Sequence, residues 1–92
     1  MSTRQEEKQR TDSESQERRQ LQDVIGKHVL RDLGEPENLH RVQVRRLWED
    51  RYRVNVLVGV DAASTRVAHS YFLVTDGEGN ISASTPKITR QY

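Results

Sequence analysis

The chain has 92 residues, a formal net charge of +1 and no cysteine. A chain of this length forms one domain at most, and without cysteine it has neither a disulfide nor a thiolate metal site. No apolar run approaches the roughly 18 residues of a membrane-spanning helix, and the N-terminus lacks the apolar stretch of a secretory signal. We therefore expect a cytoplasmic protein that does not act at a membrane.

The N-terminal part of the chain is polar, and its charges balance. Residues 1–20 hold five basic and five acidic side chains and no Leu, Ile, Val or Phe. Because such a segment cannot offset its ordering entropy by burial, we expect residues 1–12 to form a disordered charged tail. A capping box over Thr11–Glu14, or over Ser13–Gln16, predicts that a helix begins between residues 12 and 16.

An amphipathic helix follows this tail. Its apolar stripe recurs at i, i+3, i+4, i+7 and i+8 and consists of Leu21, Val24, Ile25, His28 and Val29. Gly34 supplies a stop signal, and Pro36 lies two residues beyond it. The helix is therefore predicted to end near Asp32 or Leu33.

The hydrophobic period then changes to two, which predicts β-strands. Alternating valines in residues 41–45 and 52–60 indicate an antiparallel hairpin. Pairing Val44 with Val56 places the valines of both strands on one face and leaves Glu49–Arg51 as the loop.

A third strand is predicted over residues 67–75, and it is partly apolar on both faces, which is typical of a central strand. A turn at Asp76–Asn80 leads to a short segment, residues 81–84, whose pairing the sequence leaves open. The predicted fold is α+β, with one N-terminal amphipathic helix packed on an antiparallel meander of three or four strands. We assign this domain to residues 13–86 and a C-terminal extension to residues 87–92.

The predicted core lies between the helix and one face of the sheet. From the helix and the first two strands we expect it to contain Val24, Ile25, Val29, Val42, Val44, Val54, Val56 and Val58. The third strand adds either Phe72 and Val74 or Tyr71 and Leu73, and the sequence does not decide between these pairs.

No combination of residues predicts catalysis. His28, His40 and His69 fall on three different elements without local metal-ligand spacing. Residues His69 and Ser70 point to opposite faces of a strand and cannot form a catalytic triad with Asp76. The glycines of the turn at residues 76–80 match no phosphate-binding loop. We therefore expect neither an enzyme, nor a metal, nor a cofactor.

The predicted solvent face of the hairpin combines arginine with aromatic residues. Such a surface can hold a nucleic-acid backbone and stack bases. The candidate anion or nucleic-acid face consists of Arg41, Arg45, Arg51, Arg53, Trp48 and Tyr52. A net charge of +1 is low for a nucleic-acid-binding protein, so this function is an alternative hypothesis.

A second candidate surface lies on the third strand and consists of Val67, His69, Tyr71 and Leu73. Because both faces of this strand are apolar, the second face needs a cover, either another copy of the chain or the residues Ile88 and Tyr92 folded back. The favoured hypothesis from the sequence is a small non-enzymatic interaction module that forms a homodimer or binds a protein partner that the sequence does not identify.

The segment Tyr71–Ile81 resembles the last hairpin of PepSY-type modules. That hairpin carries Asp-x-x-Gly-x-Ile/Val, matched here by Asp76, Gly79 and Ile81. The resemblance covers residues 20–85 and rests on this one turn motif. It implies a binding or inhibitory role, commonly outside the cytoplasm.

Overall fold

One helix and one antiparallel sheet make up the fold, which we describe from a computed structural model covering the backbone of residues 2–92 and the side chains of residues 17–92. The elements in chain order are α1 (Ser2–Leu33), β1 (Leu39–Trp48), β2 (Arg51–Val58), a short 3-10 helix (Ala62–Ser64), β3 (Arg66–Thr75) and β4 (Ile81–Thr85). The four strands follow one another across the sheet in the order β1-β2-β3-β4. The predicted α+β meander is confirmed, and β4 pairs with β3.

The helix begins earlier than the sequence predicted. Its backbone is helical from Ser2, and it ends at Leu33, as expected. The backbone of residues 2–12, which we expected to be disordered, is therefore part of α1. We predicted disorder because the segment has no apolar residues to bury. It also contains no Gly or Pro, however, and is rich in Gln, Glu, Lys and Arg. These residue types favour a helix without any packing.

The core lies between α1 and the face of the sheet that α1 covers. Its buried side chains come from α1, β2 and β3: Ile25, Val29, Leu33, Tyr52, Val54, Val56, Tyr71 and Leu73. The third strand thus contributes Tyr71 and Leu73, and Phe72 and Val74 point the other way. Each fully buried side chain of this size stabilises the fold by roughly 1.5–3 kcal/mol relative to an exposed one.

The register of the first hairpin differs from the predicted one by two residues. Val44 pairs with Val54, not with Val56, and Trp48 pairs with Arg51 across a short turn. Glu49 in that turn has φ 44°, and a bulge lies between Arg46 and Trp48. Between the bulges, over residues 41–46, a shift of two residues keeps every side chain on its predicted face. The valine pattern therefore could not distinguish the two registers.

The turn between β3 and β4 anchors the helix. Gly79 has φ +85°, and a Cβ built there would lie 3.1 Å from both Leu21 Cδ1 and Val24 Cγ1. The His28 Nδ1–H donates a hydrogen bond of 2.8 Å to the carbonyl of Gly79. The turn itself is held by Asp76, whose carboxylate accepts hydrogen bonds from Asn80. This close approach allows α1 to pack on the end of the sheet.

The residues after β4 return to the helix. The backbone N–H groups of Gln91 and Tyr92 donate to the carbonyl of Leu33, at 2.8 and 3.2 Å. The Tyr92 hydroxyl is 2.8 Å from His69 Nε2, and Ile88 packs against the core. Two covers for this face of β3 were considered, a second copy of the chain or Ile88 and Tyr92. At His69 the structure shows the chain's own C-terminal residue Tyr92.

Candidate binding surface on the outer face of the sheet

We call the face of the sheet turned away from α1 the outer face; within residues 2–92, which the structure describes, no helix packs on it. Strand alternation and the observed register assign to it Arg41, Gln43, Arg45, Trp48, Arg51, Arg53, Asn55, Leu57, Ser70, Phe72 and Val74. These residues alternate along the strands with the core residues of β2 and β3. None of them is acidic, so the outer face combines cationic, amide and apolar groups.

Two arginines face each other at the centre of this surface. Arg45 of β1 lies directly opposite Arg53 of β2, and both are exposed. Among the side chains of residues 17–92, the ion pairs are Arg31 with Asp32 and Arg51 with Glu49, so no carboxylate is paired with Arg45 or Arg53. Like charges in this position destabilise a sheet by roughly 0.2–1 kcal/mol. An anion bound between the two guanidinium groups would remove this repulsion.

An aromatic pair, the exposed Trp48 and the half-buried Phe72, lies next to these arginines. The ring centroids of Trp48 and Phe72 are 5.9 Å apart with an interplanar angle of 43°, and Trp48 is 53% exposed. Phe72 pairs with Arg53 in the register, so the aromatic and cationic side chains are direct neighbours. The guanidinium groups can bind an anion, and the aromatic rings can stack on a planar ring of a ligand.

Arg51 and Arg41 extend the positive charge along the hairpin. Arg51 approaches the carboxylate of Glu49 at 4.0 Å, and the Glu49 side chain is 81% exposed. An ion pair of this length and exposure contributes little, so Arg51 remains available to an external anion. Arg41 pairs with Leu57 at the far end of the face.

The structure brings together all but one of the predicted anion-face residues. Arg41, Arg45, Arg51, Arg53 and Trp48 share the outer face. The prediction was wrong for the sixth residue, Tyr52, whose side chain lies on the opposite face of β2.

That sixth residue is Tyr52, which is 2% exposed in the core. Burial raises the pKa of its hydroxyl. The predicted register, with Val44 opposite Val56 and Glu49–Arg51 as the loop, places Trp48 opposite Tyr52. In the structure the bulge after Arg46 inserts one residue and turns Trp48 to the outer face. Sequence reasoning missed Phe72 as a site residue, although its alternation with Tyr71 and Leu73 placed it opposite them.

The predicted self-association face is mostly covered. Tyr71 is 5% and Leu73 0% exposed beneath α1, and burial raises the pKa of the Tyr71 hydroxyl. His69 contacts the ring of Tyr92 edge-on, with centroids 5.6 Å apart. Val67 alone is exposed. These four residues therefore do not form a continuous surface for a second copy, because α1 and the C-terminal residues occupy most of it.

Two histidines have structural partners in the fold. His28 bonds to Gly79 and His69 to Tyr92. Within the part of the chain that the structure describes, no group of three or more His, Cys, Asp or Glu side chains is placed to hold a metal. The same residues include no helix with the length and apolar character needed to cross a bilayer. Compared with protein-family models, curated proteins and solved structures, the chain matches none of them.

Proposed function

We propose that the chain is a non-enzymatic binding module of the cytoplasm that holds a single-stranded nucleic acid on the outer face of its sheet. The observation that carries the proposal is the opposed pair Arg45 and Arg53 beside the exposed ring of Trp48 and the half-buried ring of Phe72. Arginine binds phosphate through a planar set of donors, and aromatic rings stack on unpaired bases. Both groups occur here on one uncovered surface.

A single strand fits this surface better than a duplex. Its bases are free to stack, whereas those of a duplex are already stacked on each other. The phosphates would contact Arg45 and Arg53, and one base would stack on Trp48. With three or four arginines in contact, log K should fall with log[salt] with a slope of about −2 to −3. The net charge of +1 supplies little further attraction, so we expect weak binding that is clearest at low salt.

The single tryptophan provides a direct assay. Trp48 is the only tryptophan in the chain, so quenching of its fluorescence reports a base on the outer face. We would titrate the full chain with single-stranded DNA and RNA oligonucleotides of about 10 nucleotides at several salt concentrations. A matched duplex serves as the competitor.

The most informative variant is Arg53→Glu, because it changes binding and stability in opposite directions. It replaces the Arg45–Arg53 repulsion by an opposite-charge pair, which should stabilise the fold by roughly 0.2–1 kcal/mol. It also removes a cation and adds an anion at the proposed phosphate site, so binding should be lost. A folded, more stable protein that fails to bind cannot be explained by misfolding.

The matched control is Arg66→Glu, which makes the same charge change at the other end of β2 and β3, opposite Val58. We expect this variant to bind almost as well as the unchanged chain. Equal loss in both variants would indicate a non-specific charge effect and would refute the proposed site. Absence of any quenching at low salt would refute the proposed function.

A further inference from the structure

The two edges of the sheet differ in their protection. β4 has five residues, and the chain beyond it starts with Pro86 and returns to the end of α1. β1 has ten residues and contains neither Pro, Gly nor Lys. Its bulges lie at the two ends, between Leu39 and Arg41 and between Arg46 and Trp48, so the backbone between them is regular. A long, regular edge strand is a template for another strand.

A groove runs along this edge between β1 and α1. The space of about 750 Å³ to which it belongs extends around β1 to the outer face, where Arg41, Gln43, Arg45, Arg53 and Asn55 line it. Its wall on α1 is formed by Gln22, Asp23, Gly26, Lys27 and Leu30, and its floor by Val42 and Val44.

The helix lies close above the floor of the groove. A Cβ on Gly26 would be 3.5 Å from Val42 Cγ1 and 3.7 Å from Val44 Cγ2. Both valines remain only half-buried, although Val54 and Val56, their partners on β2, are fully buried. The edge of the core is therefore incompletely covered at this point.

We propose that a second copy of the chain occupies this edge. β1 of each copy would pair antiparallel with β1 of the other about a two-fold axis, which makes one continuous eight-stranded sheet with an α1 helix on each side of the axis. Arg41, Arg45 and Arg53 of the proposed nucleic-acid site border the same groove. The dimer proposal does not depend on that site, because it is argued from the backbone of β1 and the charges of α1.

Under that rotation, the charges on the α1 wall of one copy meet opposite charges on the α1 wall of the other. Asp23 and Lys27 are exposed and lie one helical turn apart. A two-fold axis reverses the direction of the second helix, so Asp23 of each copy faces Lys27 of the other. Both contacts are attractive. Symmetric dimers need this kind of self-complementary patch.

The arginines of β1 restrict the register of the paired strands. An axis through Gln43 would place Arg41 of each copy opposite Arg45 of the other, and like charges in that position are unfavourable. An axis through Val42 or Val44 avoids this contact and brings two valines together above the groove floor. We therefore place the axis at one of these two valines.

Charge reversal tests the interface without disturbing the core. We would measure the dissociation constant of the full chain by sedimentation equilibrium, together with Asp23→Lys, Lys27→Asp and their equimolar mixture. Each single variant brings like charges together twice, so the dimer should weaken by at least about tenfold. The mixture should recover the affinity as a heterodimer, because each copy then carries the charges that the other needs. Lys87→Glu, at the opposite edge, is the matched control and should dimerise normally.

Amide hydrogen exchange locates the contact. Alternate residues of β1 direct their N–H groups away from β2, and their exchange should slow as the protein concentration rises. Backbone amides of β4 should show no such dependence. A chain that stays monomeric up to about 1 mM, the weak end of specific association, would overturn the proposal. So would a dimer that both charge reversals leave unchanged.

Discussion

Replacing Gly79 by alanine tests whether the β3–β4 turn holds the helix on the sheet. The residue has φ +85°, a conformation that costs a residue with a Cβ about 1–2 kcal/mol. The new Cβ would also lie 3.1 Å from Leu21 and Val24, so α1 must move outward or the turn must deform. Such crowding typically costs 1 kcal/mol or more.

The loss is partly offset, because alanine reduces the entropy of the unfolded chain by about 0.4–1 kcal/mol. We therefore expect Gly79→Ala to lower the free energy of unfolding by about 2 kcal/mol. For a domain of this size each kcal/mol corresponds to roughly 4–8 °C in Tm. Urea unfolding followed by circular dichroism measures the first quantity, and a thermal scan measures the second.

Gly77→Ala is the control in the same turn. A Cβ at Gly77 meets nothing within 4 Å, and φ there is not positive. This substitution should leave stability unchanged or raise it by up to about 1 kcal/mol. If the two variants lose the same stability, neither the close approach of α1 nor the left-handed backbone at Gly79 explains the effect, and our account of helix docking is wrong.

Three further substitutions probe the core, the turn and the C-terminal contact. Leu73→Ala, at a position with 0% exposure, should cost about 2–5 kcal/mol in urea unfolding, and a cost below 1 kcal/mol would contradict its central place in the core. Hydrogen bonds from the side chain and backbone of Asn80 hold the pKa of Asp76 below its usual 3.8. A carboxyl group whose pKa is lowered by folding stabilises the fold at pH values above its unfolded-state pKa, and this stabilisation is lost as the pH falls through its folded-state pKa. The Tm difference between the unchanged chain and Asp76→Ala should therefore be largest near neutral pH and shrink as the pH falls below 3.8. A Tm difference that does not depend on pH would refute this. Tyr92→Phe removes the hydroxyl that bonds His69 and should cost about 0.5–1.5 kcal/mol, whereas an unchanged Tm would show that this bond adds nothing.

The helix and the strands could be predicted from the sequence because the spacing of apolar residues follows which side chains are buried. Valines at every second position identified both strands of the first hairpin, and the same alternation placed Arg41, Arg45 and Arg53 on one outer face. The end of the helix at Leu33 followed from Gly34, whose φ of +89° is the left-handed conformation expected after a helix.

The remaining features depend on backbone geometry that the pattern does not encode. A single inserted residue before Trp48 moved its ring to the outer face and made it a neighbour of Phe72. Between the two bulges of β1 the two-residue shift in register left the faces of residues 41–46 unchanged, so no pattern of apolar residues could detect it. The start of the helix at Ser2 depends on residue propensity over a stretch with no apolar residues to reveal its period.

The order of strands in the sheet has a consequence for folding kinetics. Each strand pairs with its neighbour in sequence, so the sheet can form through local hairpins, which close within about 1–10 μs. The contact between His28 and Gly79 spans 51 residues and requires the closure of a long loop. Docking of α1 should therefore follow formation of the sheet. The part of the Gly79→Ala loss that comes from crowding against Leu21 and Val24 would then accelerate unfolding, whereas the part that comes from strain in the β3–β4 turn would slow folding.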